Sequence, residues 1–172
     1  MDRHRGRNKG LNIKDNTDYA YEVFNELEIK RAIVQLSNFE GCKFVGCNFL
    51  EAQFNECKFT DCEFKDSNLS LIKFNKSKFI ETDFKNCKLT GVNWTTLNWG
   101  NLIVTAPIFF ESCDISFSIF SSLELQEISF QDCKAHDVDF SECNLKPICT
   151  KKYYKFDMIL VKLDELNYIE ES

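Results

Sequence analysis

Residues 43–72 read KFVGC-NFLEA-QFNEC-KFTDC-EFKDS-NLSLI, and the second residue of every group is Phe or Leu. Those residues are Phe44, Phe49, Phe54, Phe59, Phe64 and Leu69. Stepping by five in both directions extends the ladder from Phe24 to Val104 without a polar residue. One residue out of phase it restarts at Phe110 and runs through Ile115, Phe120, Leu125, Phe130, Ala135 and Phe140 to Leu145. With 44% apolar residues in the chain, 25 apolar hits in 25 steps have a chance probability of ~10⁻⁹. A helix repeats its apolar positions every three to four residues and a strand every two. A period of five fits neither, so it belongs to a larger unit.

A second ladder, two residues before each centre, carries small residues such as Cys42, Cys47, Ala52, Cys57, Cys62, Ser67 and Ser77. Residues 36–145 hold 25 Asp, Glu or Lys, and none stands on either ladder. Two positions in five therefore point inward and three face water.

The quoted repeats resemble the pentapeptide-repeat family. That resemblance covers roughly residues 22–148 and implies an all-β right-handed quadrilateral parallel β-helix, with four pentapeptides in each 20-residue coil. The tract from Leu89 to Leu145 (LTGVNWTTLNW…APIFFESCDIS…DVDFSECNL) also resembles the quinolone-resistance (Qnr-like) subgroup. That likeness implies dimers that bind type II topoisomerases as DNA mimics. Stacking at the sheet spacing puts Phe39, Phe59, Phe79 and Trp99 in one internal column and Phe54, Phe74 and Trp94 in another.

Three segments follow. Residues 1–20 form a polar tail without pattern, expected to be disordered. Residues 21–148 form the β-helix, with a register slip near 104–110 that reads as a single-residue insertion beside Pro107. No longer insertion is expected, which weighs against a projecting loop. Glu22 stands at an inward position, so the first coil reads as irregular, with a short helix over 20–34 as the alternative. Residues 149–172 read as a helical cap: Phe156, Ile159, Leu160, Leu163 and Leu166 form an apolar stripe at helical spacing. The stripe would cover the last coil's strand edges and, with the resemblance, implies a homodimer through the C-terminal ends.

Eight of the nine cysteines stand on the small ladder, where they read as small buried hydrophobes and free thiols rather than a disulfide or zinc framework. Cys42/Cys62 and Cys113/Cys133 should stack on adjacent coils. Cys149, off the ladder, is the candidate exposed thiol. The chain has two histidines, His4 and His136, no nucleophile elbow and no Gly-rich phosphate loop. We expect no enzyme, no cofactor and no metal site. No 18-residue apolar run or leader-like segment is visible, so neither a membrane span nor secretion is expected, and the cytoplasm is the expected location.

A net charge of −6 argues against direct nucleic-acid binding. Residues 36–109 balance eight acids with eight lysines, whereas residues 110–145 carry eight acids and only Lys134. The eight acids are Glu111, Asp114, Glu124, Glu127, Asp132, Asp137, Asp139 and Glu142. They form the candidate partner surface: carboxylates on a rod can attract a basic DNA-binding cleft. The expected function is a Qnr-like topoisomerase-binding DNA mimic, with DNA gyrase or topoisomerase IV as the partner. The alternative is an interaction scaffold with another partner.

Overall fold

The computed structural model describes residues 12–100, 108–123 and 128–143, together with the backbone of Tyr154–Lys162. The first seven strands are β1 (Asp18–Ala20), β2 (Val23–Asn25), β3 (Ile33–Gln35), β4 (Asn38–Glu40), β5 (Lys43–Val45), β6 (Gln53–Asn55) and β7 (Lys58–Thr60). After them come β8 (Glu63–Lys65), β9 (Lys78–Ile80), β10 (Thr82–Lys85), β11 (Ile108–Glu111), β12 (Ile128–Asp139) and β13 (Tyr154–Lys162). All pairings are parallel and wind the chain into a four-faced solenoid.

The first face is a seven-stranded sheet, β2-β5-β8-β10-β11-β12-β13. The second is a column of isolated bridges from Glu28 through Asn48, Asn68, Lys88 and Asp114 to Lys134. The third holds β3-β6, continued by bridges at Lys73, Asn93, Ile119 and Asp139. The fourth is the sheet β1-β4-β7-β9.

Each three-residue strand from β2 to β9 buries its central residue alone, which is why the period is five. Phe24, Phe44, Phe64 and Phe84 stack with centroids 4.9, 4.5 and 4.9 Å apart. Phe39, Phe59 and Phe79 stack at 4.8 Å per step. Fully burying a phenylalanine is worth about 2–3 kcal/mol, and these columns repeat that gain coil after coil. Trp99 departs from its column: it is half-buried and donates its indole N–H to the Trp94 carbonyl at 3.0 Å.

Two residues after each centre the chain turns the corner in the left-handed region. Glu26, Arg31, Leu36, Glu51, Glu56 and Asp61 all have φ between 52° and 57°. Each strained corner is held by its amide, which donates to a carbonyl of the next coil, as Glu26 does to Val45 at 2.9 Å. The small ladder also donates. Cys47 Sγ reaches the Phe24 carbonyl at 3.3 Å and Cys87 Sγ the Phe64 carbonyl at 3.4 Å. Ser77 Oγ reaches the Phe54 carbonyl at 2.9 Å. These positions therefore require a side chain that is small and, in most coils, a donor.

Three expectations need correction. The register slip is an insertion of six residues, not one: Phe84 pairs with Phe110, 26 residues on, where Phe64 pairs with Phe84, 20 residues on. Six and one leave the same phase in a five-residue repeat, so the ladder could not tell them apart. The extra residues fall within 101–107, outside the described residues.

The second correction concerns the C-terminal helix. Tyr154–Lys162 is strand β13, paired in parallel with β12. Tyr154, Phe156, Met158 and Leu160 alternate with Lys155, Asp157, Ile159 and Val161, and so also satisfy a period of two. The free edge of β12 supplies backbone partners for a strand that a helix would leave unpaired. Leu163 and Leu166 lie outside the described residues.

The third concerns the N-terminal end. Asp18–Ala20 already pairs with β4, and Tyr19, five residues before Phe24, stacks on Phe39 at 5.1 Å. Ile13 is buried. The repeat thus begins inside the tail expected to be disordered. Residues 20–34 contribute strands β2 and β3 rather than a helix, with Glu22 exposed at the end of the rod.

Candidate functional site

Of the eight acids singled out by sequence, six are described and they occupy three faces. Glu111 and Asp132 lie on the first face, Asp114 and Asp137 on the second, and Asp139 and Glu142 on the third. Asp132, Asp137 and Glu142 are corner residues with φ of 52°, 51° and 58°. Glu124 and Glu127 lie outside the described residues.

Several of these carboxylates are held in place. Asp139 Oδ1 accepts the Ser141 amide at 3.0 Å and its hydroxyl at 2.6 Å. Glu142 accepts the Ser122 hydroxyl at 2.8 Å. Asp114 accepts the Ser116 amide at 3.1 Å and lies 3.6 Å from Lys134 Nζ. Partial burial acts to raise the Asp114 carboxyl, but Ser116 and Lys134 together hold it below the ordinary range. The structure thus gives an acidic girdle around the last coils rather than a single stripe.

A second charged region went unnoticed in the sequence. Where the fourth face turns into the first, Asp61 and Glu81 occupy successive corners, beside Glu63 and Asp83 on neighbouring strands. Lys85 Nζ sits 3.1 Å from Glu63 and 2.7 Å from Asp83, and both carboxylates hold its ammonium above the ordinary range. These acids line an open groove of ≈ 610 Å³ that also touches Cys62 and Gly41, with Tyr21 and Phe109 exposed along it. Tyr21 lies so close over Gly41 that a Cβ there would come within 2.5 Å of its ring. The net charge of residues 36–109 is zero, and the sum hid this segregation. Writing the sequence in rows of 20 would have exposed it.

An apolar ridge lies between the second and third faces, where Leu71, Phe117 and Ile119 are exposed. Leu71 leans over Gly91, whose absent Cβ leaves it room.

The eight ladder cysteines are buried free thiols. Three of them, Cys87, Cys113 and Cys133, are hydrogen-bonded in sequence along one corner, a run that the six-residue insertion concealed. Cys149 lies outside the described residues. Among the described residues no group of three or more His, Cys, Asp or Glu is placed to hold a metal ion, and no helix is long and apolar enough to cross a membrane.

Residues 37–104 match the family model described as a pentapeptide repeat region. No curated protein matches the chain. Among solved structures, the chain is similar to a trypsin-treated form of QnrB1, a plasmid-mediated fluoroquinolone resistance protein. The two are 16% identical over 76% of this chain and 73% of that one, with a TM-score of 0.41. It is similar to HetL, a pentapeptide repeat protein involved in heterocyst differentiation regulation in Nostoc sp. strain PCC 7120. Here identity is 12% over 76% of this chain and 63% of HetL, with a TM-score of 0.43. It is also similar to a pentapeptide repeat protein of the Arabidopsis thaliana thylakoid lumen, 20% identical over 62% and 66% of the two chains, with a TM-score of 0.27.

Proposed function

The chain is a pentapeptide-repeat protein, and on that premise we propose that it is a non-enzymatic binding protein that presents a DNA-like acidic rod to a type II topoisomerase. DNA gyrase or topoisomerase IV is the partner, and protection against fluoroquinolones is the consequence. The cytoplasm is where it would meet such an enzyme. The observation that carries this reading is the acidic girdle. Carboxylates of the last coils are fixed on three faces of a rigid β scaffold, several by their own hydrogen bonds. A cationic cleft shaped for phosphates gains from such ordered charge and pays little entropy to meet it.

A second reading, an interaction scaffold for another partner, is favoured by the exposed ridge of Leu71, Phe117 and Ile119, which a purely electrostatic mimic does not need. A supercoiling assay separates the two. Purified gyrase with added protein, with and without a fluoroquinolone, should show inhibition or drug protection that weakens as salt is raised. Unchanged supercoiling in both arms at micromolar protein supports the scaffold instead.

A further inference from the structure

We propose that the fourth face is a homotypic interface on which a second copy of this chain docks side by side, with the two rods parallel. Its half formed by β7 and β9 is electrically polarised. There the leading edge carries Lys58 and Lys78, in register on the adjacent strands, while the same edge carries Asp18 on β1 and Asn38 on β4. Its trailing edge carries Asp61 and Glu81 at successive left-handed corners, Asp61 donating its amide to the Ile80 carbonyl at 2.9 Å. Three residues of extended chain separate the edges, about 10 Å. Between them lie the half-buried Thr60 and Ile80.

Each edge stacks like charges one strand apart, which destabilises the monomer. Among the described residues neither edge is relieved: none of the four residues takes part in an ion pair there. Elsewhere on the rod the lysines Lys43, Lys85 and Lys134 do find carboxylates on neighbouring coils. Lys76, at the corner ahead of the lysine edge, adds positive charge there, and Glu56 below it subtracts one.

Symmetry selects the occupant. A two-fold axis along the stacking direction exchanges the edges, so Lys58 and Lys78 of one copy meet Asp61 and Glu81 of the other, and the reverse. An axis along the strands would oppose lysine to lysine. The exposed acid edge opens on the groove lined also by Tyr21, Phe109 and Lys43, where an incoming lysine stem can lie against a ring. Lys43 pairs with Glu63 rather than with Asp61 or Glu81. One four-stranded face is small for an interface, so the association is weak, reversible and salt-sensitive. The end-to-end dimer argued from the sequence needed a C-terminal helix, and Tyr154–Lys162 is a strand. The side-by-side dimer does not depend on the topoisomerase reading.

Charge swaps test it by sedimentation velocity at low ionic strength. The wild type should sediment increasingly as a dimer as concentration rises to hundreds of micromolar. Lys58→Glu/Lys78→Glu and Asp61→Lys/Glu81→Lys should each be monomeric, with melting temperatures near wild type because all four side chains are surface groups. An equimolar mixture of the two variants should recover the dimer, and about 0.5 M salt should dissolve it. A wild-type monomer throughout, or a mixture no more associated than its components, overturns the proposal. So does a dimer indifferent to swaps and salt, which would place the contact elsewhere, at the rod's end.

Discussion

Phe110 stacks on Phe84, with ring centroids 5.2 Å apart and planes 13° from parallel, although 26 residues separate them. The interior column continues as if the insertion were not there, and Cys113 Sγ still reaches the Phe84 carbonyl at 3.3 Å. Core complementarity between coils, not sequence spacing, sets the register.

Deleting residues 102–107 should therefore be tolerated. The deletion restores the 20-residue spacing and puts Asn101 at the left-handed corner, a conformation asparagine accepts. Shortening the connection should change stability by no more than about 1 kcal/mol. Thermal unfolding monitored by circular dichroism checks this, and loss of a cooperative transition would contradict the alignment of Phe110 on Phe84.

The ladder of five made the interior legible: Phe44, Phe49, Phe54, Phe59 and Phe64 are all 0% exposed. It could not reveal what is equal modulo five, hence the hidden insertion and the unseen run of Cys87 onto Cys113. The nine residues Tyr154–Lys162 fitted periods of both two and three-to-four, and only the free edge of β12 decides between them. The acidic girdle was readable as composition, but the polarised half of the fourth face was not, because its charges cancel along the chain.

Phe59→Asp should abolish folding. It removes a ring stacked at 4.8 Å on both Phe39 and Phe79 and buries an unpartnered charge, costing more than about 5 kcal/mol. Thr60→Asp, one residue on and facing water, should cost about 1 kcal/mol or less. Urea titration of both variants checks this, and equal midpoints would contradict the inward and outward assignment.

The corners carry a measurable strain. Glu56 has φ 55° and its side chain is exposed. Glu56→Gly should be more stable than Glu56→Val by about 1–2 kcal/mol, since only the former removes the Cβ clash of the left-handed region. Melting temperatures of the two variants check the order, and a more stable valine variant would refute it.

Stability should fall at alkaline pH. A hydrogen bond from Cys133 lowers the Cys113 thiol, but Cys87 and burial outweigh it and push it up to about 12, from an ordinary 9.0. Burial likewise raises Cys47 and Cys57. A thiol raised in the folded state stabilises fully below the unfolded value and loses that contribution as pH rises toward the folded one. In the stacked pair Cys42/Cys62 the contact between the thiols lowers Cys42 and raises Cys62, and burial adds to the rise, so Cys62 acts in the same sense as Cys113. The melting temperature should decline from about pH 9 to 12, and less steeply in Cys113→Ser. A flat profile over that range would contradict the buried-thiol assignment.

Competition with DNA is the sharpest test of whether the acidic girdle stands in for a duplex. Fluorescence anisotropy of labelled duplex DNA bound to purified gyrase would be followed while the protein is titrated in. The protein should displace the DNA, more effectively at low than at high salt, and reversing Asp137, Asp139 and Glu142 to lysine should remove the effect. Gyrase that keeps its DNA at saturating protein, or loses it equally to the reversed variant, would rule out DNA mimicry by the girdle.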